Sequence, residues 1–213
     1  MVLRQLNASE ADAQLYARLA SYVIYANASL RADAAMLRAN RRGQSGLWGY
    51  GISGDLPIVL LQIGDAANID LVRQLVQAHA YWRLKGLAVD LVIWNEDHAG
   101  YRQQLQEQIM GLIAAGLGAS VIDRPGGIFV RQAEQISPED HILFQAAARA
   151  VITDSRGTLA EQLDQRHLPE VRAPRFKPRR TRRHEIAYDA HSAAGPPRRD
   201  LLLFNGLGGF TPD

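Results

Sequence analysis

Pro57-Ile-Val-Leu-Leu-Gln-Ile63 and the stretch that follows it, residues 68–85, decide the fold class of this chain. The first is a continuous apolar run ended by Gly64-Asp65, as is typical of a strand covered on both faces. In the second, apolar residues recur at helical spacing, and Gly86 provides a stop. A buried strand followed by an amphipathic helix is the repeating unit of a parallel α/β fold.

The same alternation continues along the chain. It predicts a second strand at residues 87–94, a helix at residues 98–115, a short third strand at residues 119–122 and a fourth strand at residues 128–131. Strands that alternate with helices of this length pair in parallel through right-handed crossovers. The sequence therefore predicts an α/β fold in which a small parallel sheet has flanking helices.

Two helix starts frame this alternation. Ser9 precedes a helical pattern over about residues 10–26, while residues 27–45 show no sustained period and predict a connector with one short helical turn. Further on, Ser137-Pro-Glu-Asp140 places a capping serine, a proline and two acids at a helix start. We expect that helix to extend to about Ile152.

The composition limits the class of protein. The 213 residues are 47% hydrophobic and 22% charged, as in an ordinary soluble globular protein, and contain no cysteine, which excludes disulfides, thiolate zinc sites and thiol nucleophiles. The longest uncharged apolar stretch, residues 109–122, is shorter than the roughly 20 residues of a membrane-spanning helix. No secretory signal is visible at the start. We expect no membrane span and no cofactor.

The last quarter of the chain differs from the rest. Residues 168–199 combine several prolines with clustered arginines, a composition that predicts an unstructured basic linker. The arginines at residues 175–183 could contact phosphates, but a solvated linker is the simpler interpretation, so we expect no nucleic-acid partner. Residues 201–210 then form an apolar run and a glycine turn with no return strand. Because isolated domains avoid an unpaired edge, we expect the opening of a further domain there.

Acidic residues follow the predicted strands. Since ligands bind beyond the carboxyl ends of the strands in an open parallel sheet, four side chains are candidates for a divalent-metal or acid–base site: Asp65, Glu96, Asp97 and His98. The simpler interpretation is structural. Asn95 and Asp97 suit a helix cap, Asp65 a turn, and Asp123-Arg124 a local ion pair.

The segment Gly46-Leu-Trp-Gly-Tyr-Gly-Ile-Ser-Gly54 is rich in glycine and contains two aromatic residues. Phosphate-binding loops follow a strand and precede a helix, whereas this segment precedes a strand, so a nucleotide site is not expected. Trp48 and Tyr50, with Asp55 nearby, could instead bind a sugar ring through their flat faces. The alternative, which we favour, is that Trp48 packs in a core. His79, on the apolar face of its helix, is likewise expected to be a core histidine with one hydrogen bond.

Several of these blocks together resemble a known family. They are Leu47-Trp-Gly-Tyr-Gly-Ile-Ser-Gly-Asp-Leu-Pro-Ile58, residues 71–96 with Gln77-Ala-His-Ala-Tyr-Trp-Arg83, and Pro125-Gly-Gly-Ile-Phe129. In this order they resemble the cyclic β-1,2-glucan synthases, the NdvB-type proteins. The closing Asn205-Gly-Leu-Gly-Gly-Phe210 is similar to the first strand and turn of the sugar-binding β-sandwich in cellobiose and chitobiose phosphorylases.

The resemblance implies a place inside a large enzyme, anchored in the inner membrane, that makes glucan from UDP-glucose and controls chain length with a phosphorylase-like region. No catalytic residue of that family maps onto this chain, so whether it is an enzyme in its own right stays undecided. The implied role is a cytoplasmic, non-catalytic connector whose partners are neighbouring domains and, as a further candidate, β-1,2-glucan. The implied division is a helical lead-in at residues 1–45, an α/β domain at 46–152, a linker at 153–199 and a truncated β-sandwich start at 200–213.

Two other functions remain open on the residues alone. One is a free-standing small α/β enzyme that acts at Asp65, Glu96, Asp97 and His98. The other is a glucan-binding module that uses Trp48 and Tyr50.

Overall fold

The computed structural model describes residue 6 and residues 8–97, 102–116 and 119–164. All of them lie in one compact unit, Met1–Pro169. The part of the expected linker after residue 164, the expected final strand and the candidate site residue His98 lie outside the described residues.

A parallel sheet of four strands forms the centre of the unit. The strands are β1 (Ile58–Ile63), β2 (Asp90–Asn95), β3 (Ile128–Gln132) and β4 (Ala150–Thr153). Their order across the sheet is β3-β2-β1-β4, and every neighbouring pair is parallel. In this register Leu60 of β1 lies opposite Val92 of β2 and Val151 of β4. The predicted α/β fold with a small parallel sheet is confirmed.

Six α-helices are described around this sheet. They are α1 (Glu10–Tyr25), α2 (Ala34–Ala39), α3 (Ile69–Leu84), α4 (Arg102–Gly116), α5 (Pro138–Ala147) and α6 (Leu159–Asp164). The predicted starts of α1 and α5 are confirmed, since Ser9 forms a capping box with Asp12 and the Ser137 side chain accepts from the backbone N–H of Asp140. Within the described residues, every helix is too short or too polar to span a lipid bilayer.

The sheet is covered on both faces, which explains the continuous apolar run of β1. Val59, Leu61 and Ile63 pack with side chains of α1, α3, α4 and α6, and the alternating residues Ile58 and Leu60 belong to a second buried cluster. That second cluster includes side chains of α5 and of the glycine-rich segment. The unit therefore has three layers, with helices on both faces of the sheet.

Helices before and after the strand–helix alternation pack on the same core as the sheet. Tyr16 and Leu19 of α1 are buried in the same core as the sheet, and so are Leu159 and Leu163 of α6. Arg18 of α1 donates to the carbonyl oxygen of Leu163 at 2.6 Å. The boundary expected at residue 152 lies inside β4, and folded structure continues to Asp164.

Two predicted elements are wrong. Residues 119–122 do not form a strand: Ala119–Val121 is a 3₁₀ helix, and Ile122 makes only an isolated bridge to Ile128. The helix expected to reach Ile152 ends at Ala147, because Ala148 has an extended backbone and the β-branched residues after it pair with β1 as β4. The sequence did not distinguish the two, because a short apolar run looks the same at the end of a helix and in a buried strand.

Candidate functional site

The carboxyl ends of β1 and β4 meet at the point in the sheet where a ligand is expected. The chain leaves β1 toward β2 and β3, and returns on the other side of β1 as β4, so these two neighbours flank a topological switch point. Here Asp154 Oδ2 accepts hydrogen bonds from the backbone N–H groups of Gly64 at 2.9 Å and Asp65 at 3.0 Å. A carboxylate of the chain itself therefore occupies the position that an anionic ligand would take.

Two of the predicted acidic residues at this edge, Asp65 and Glu96, accept hydrogen bonds from other groups of the chain. Asp65 Oδ1 accepts from the backbone N–H of Ala67 at 2.8 Å, so Asp65 begins a turn, as the structural interpretation expected. Glu96 Oε1 accepts from Gln62 Nε2 at 3.1 Å, and Asp97 is buried after β2. In the described part of the chain, no three His, Asp or Glu residues are grouped so that they could hold a metal ion. The acid–base site itself stays a prediction.

The glycine-rich segment forms a 3₁₀ helix, Gln44–Tyr50, that covers one face of the sheet. Leu47 and Ile52 are buried in the second cluster, whereas Trp48 is 64% exposed. The expectation that Trp48 packs in the core is therefore wrong. The physical reason is that successive residues of a 3₁₀ helix point in different directions, and Leu47 takes the inward position beside it.

Trp48 and Asp55 lie on the same open groove, which has a volume of about 480 Å³. Its lining residues are Gln44, Trp48, Gly51, Ile52, Ser53 and Asp55. Trp48 Nε1 donates to the carbonyl oxygen of Ser53 at 3.2 Å, and Gln44 Nε2 donates to the same oxygen at 2.8 Å and to Asp55 Oδ1 at 2.9 Å. The structure thus brings together two of the three residues predicted for carbohydrate binding.

The third residue, Tyr50, lies away from this groove and contacts side chains of α5. Its hydroxyl donates to Asp140 Oδ2 at 2.9 Å, and its ring lies edge-on to Phe144 with 5.1 Å between the ring centroids. Burial, together with the hydrogen bond to Asp140, raises the pKa of Tyr50. Tyr50 lines a different groove, beside Arg131.

Asp140 and Arg131 anchor the glycine-rich segment. Asp140 is buried at the start of α5, where it accepts from Tyr50 and from the Ser137 hydroxyl, and Arg42 Nη1 lies 2.9 Å from its Oδ1. Arg131 donates to the backbone carbonyl of Tyr50. Sequence reasoning placed Asp140 only in the first turn of a helix and did not predict this anchoring role.

Arg131 also corrects an expected ion pair. Its Nη1 lies 2.8 Å from Asp123 Oδ1, so the predicted pair between Asp123 and Arg124 is wrong. Asp123 has a left-handed backbone with φ of 54°, and residues 119–122 are not a strand, so it does not mark a strand end.

A buried histidine and a buried aspartate lie near the start of β2. His79 is fully buried, and its Nε2–H donates to the carbonyl oxygen of Val89 at 3.0 Å, which confirms the predicted core histidine. Burial lowers the pKa of His79 to about 4. Asp90 Oδ1 accepts from the backbone N–H of Gly126 at 2.7 Å, and burial raises the pKa of its carboxyl.

These features define a class: a three-layer α/β unit with a parallel sheet, a glycine-rich cover on one face and a strand-end crevice filled by Asp154. No family model matches the chain. Over 222 aligned residues, which take in 99% of the chain, it is 29% identical to the cyclic beta-(1,2)-glucan synthase NdvB of Rhizobium meliloti (strain 1021). The relationship to the NdvB-type proteins that the sequence blocks indicated is confirmed. The aligned region is 8% of that much longer protein.

Proposed function

We propose that this chain is a non-catalytic connector of an NdvB-type cyclic β-1,2-glucan synthase, located between its carbohydrate-binding modules. The observation that carries the proposal is the alignment: almost the whole chain corresponds to 8% of one long synthase. In this proposal, glucan synthesis from UDP-glucose and phosphorylase-like control of chain length belong to other parts of the same enzyme.

The strand-end crevice supports a structural role. Its backbone N–H donors at Gly64 and Asp65 are already bonded to Asp154, so a phosphate or carboxylate ligand would have to displace an internal charged group. The neighbouring carboxylates of Asp65 and Glu96 accept from groups of the chain itself. A folded spacer needs such internally satisfied polar groups, because they fix the loops between strands.

A segment exchange tests the connector role. The part of the Rhizobium meliloti synthase that aligns with this chain is replaced by the full chain, and cyclic β-1,2-glucan is measured in cell extracts by size separation and mass spectrometry. We expect glucan production with an unchanged ring-size distribution. The matched control carries Ile93→Asp, which places a charge in the centre of the sheet and should abolish production.

The purified full chain provides the opposing test. We expect no release of UDP from UDP-glucose and no phosphorolysis of β-1,2-gluco-oligosaccharides. Turnover in either assay that Glu96→Ala abolishes, at an unchanged melting temperature, would contradict the connector role and support an enzyme at the acidic edge.

A further inference from the structure

Trp48 is an exposed aromatic side chain that is held in one orientation. Its indole N–H donates to the carbonyl oxygen of Ser53, and its neighbours Leu47 and Ile52 are anchored in the core. The left-handed backbone of Gly51, with φ of 75°, closes the turn between them. Because the indole edge is fixed and the side chain is 64% exposed, Trp48 presents a flat apolar face to the groove at little further entropic cost.

Apart from Gly51 and the buried Ile52, the residues that line the groove beside Trp48 are polar, and none of them is positively charged. Gln44, Ser53 and Asp55 line it beside Trp48, and none of its lining residues is Arg, Lys or His. Asp55 uses Oδ1 to accept from Gln44, and its Oδ2 makes no hydrogen bond within the described residues. A carboxylate beside an aromatic face disfavours an anionic ligand and suits a neutral ligand with hydroxyl donors.

A protein partner fits this surface less well than a polyol does. The hot spot of a protein interface is surrounded by other apolar or well-packed groups. Trp48 is instead bordered by Gly51, by polar side chains and by Ile52, which is only 1% exposed. Tyr25 on α1, another large exposed aromatic residue, is not among the groove residues. The groove is open to solvent over most of its extent, so a ligand would contact it through one face only.

We propose that this groove binds a glucosyl ring of a β-1,2-linked gluco-oligosaccharide, with the apolar face of the sugar stacked on Trp48 and its hydroxyl groups donating to Asp55. The choice of β-1,2-linked glucan rests on the proposed function. The stacking of a sugar ring on Trp48 rests only on the exposure and hydrogen bond of that side chain. Because the groove is open, binding is weak, with a dissociation constant in the millimolar range.

Tryptophan fluorescence tests the site directly. The chain contains three tryptophans, and Trp82 and Trp94 are 1% and 0% exposed, so a soluble quencher reports almost entirely on Trp48. Titration of the full chain with linear β-1,2-gluco-oligosaccharides should change its emission and protect it from acrylamide. The same titration with β-1,3- and β-1,4-linked gluco-oligosaccharides should give weaker binding.

Variants separate binding from folding. Titration calorimetry of Trp48→Ala should show binding weaker by about 10-fold or more, and Asp55→Asn a smaller loss. Tyr25→Ala is the matched control, since it removes an exposed aromatic outside the groove and should leave binding unchanged. Thermal unfolding must show that all three variants remain folded.

Each result supports or overturns the inference. No signal with any oligosaccharide at high millimolar concentration, or equal binding by Trp48→Ala and the unaltered chain, overturns the sugar site but leaves the segment exchange and the connector role standing. Equal affinity for all three linkages overturns the assignment to β-1,2-linked glucan. Linkage-selective binding in a chain whose segment exchange fails would refute the connector role and leave the sugar site standing.

Discussion

Asp154 accepts a hydrogen bond from the backbone N–H of Gly64 at 2.9 Å, across the point where β1 and β4 part. The same carboxylate oxygen also accepts from the next backbone N–H, that of Asp65, so one charged side chain joins the end of the edge strand β4 to the end of its neighbour β1. In an open parallel sheet this position is the usual ligand crevice. In this chain the backbone N–H donors of that crevice bond to Asp154 and so link β1 to β4.

Asp154→Ala should destabilise the chain by about 1 to 3 kcal/mol, because two backbone donors lose a charged acceptor. Inorganic phosphate or sulfate should recover part of the lost melting temperature in the variant and have little effect on the unaltered chain, since an anion can replace the carboxylate. Thermal unfolding with and without the salts measures both effects, with sodium chloride at equal ionic strength as the reference.

Asp70→Ala is a suitable control for that experiment. Asp70 is an exposed acidic residue paired with Arg73 within α3, and its removal should cost less than about 1 kcal/mol. An equal loss in both variants would mean that Asp154 has no special place in the sheet.

Gly54→Ala should destabilise the glycine-rich segment by about 1 to 3 kcal/mol. Gly54 has φ of 77°, and a Cβ atom there would lie 2.8 Å from Gln44 Cγ, the side chain that bonds Ser53 and Asp55. Gly49→Ala is the matched control in the same segment, because a Cβ atom at Gly49 has no neighbour within 4 Å. Urea denaturation compares the two midpoints, and equal midpoints would contradict the strain at Gly54.

The alternation of strands and helices could be predicted because apolar periodicity changes between β1 and α3, and again between β2 and α4. The position of β4 could not, since its short apolar run follows α5 with no glycine or proline between them. What makes residues 150–153 a strand is the backbone pairing with β1, a contact distant in sequence.

The candidate site was predictable only in its residue types. Trp48 and Asp55 could be predicted as candidates from their residue types. The glycine-rich segment has no hydrophobic periodicity that distinguishes buried from exposed positions, so the exposure of Trp48 could not be predicted. Asp154 was missed because it follows a strand that was not predicted. The sequence predicted Asp140 only as a residue at the start of a helix. Its hydrogen bond to Tyr50 could not be predicted, because the two residues are 90 positions apart.

Asp140→Ala should cost about 2 to 4 kcal/mol, because it removes the acceptor of the Tyr50 and Ser137 hydroxyl groups and leaves Arg42 without its charge partner. Tyr50→Phe removes only one of these hydrogen bonds and keeps the ring contact with Phe144, so it should cost about 1 kcal/mol. Chemical denaturation of both variants measures the difference. A Tyr50→Phe loss as large as that of Asp140→Ala would show that the ring contact with Phe144 also depends on the hydroxyl.

His79 should make the chain less stable in weak acid. Its pKa is about 4 in the folded chain because of burial, against 6.5 for an ordinary histidine, so between these values the unfolded chain binds more protons. The contribution to stability is therefore complete above about pH 6.5, is lost as the pH falls to about 4 and amounts to at most about 3 kcal/mol. His79→Gln retains an N–H donor for Val89 without titrating and should remove this loss.

Asp90 acts in the opposite direction, since its raised pKa makes stability fall as the pH rises above the ordinary value of 3.8. Urea denaturation of the unaltered chain, His79→Gln and Asp90→Asn at pH 7 and pH 4.5 separates the two groups, and the same pH-dependent loss in His79→Gln as in the unaltered chain would assign the acid sensitivity to another residue.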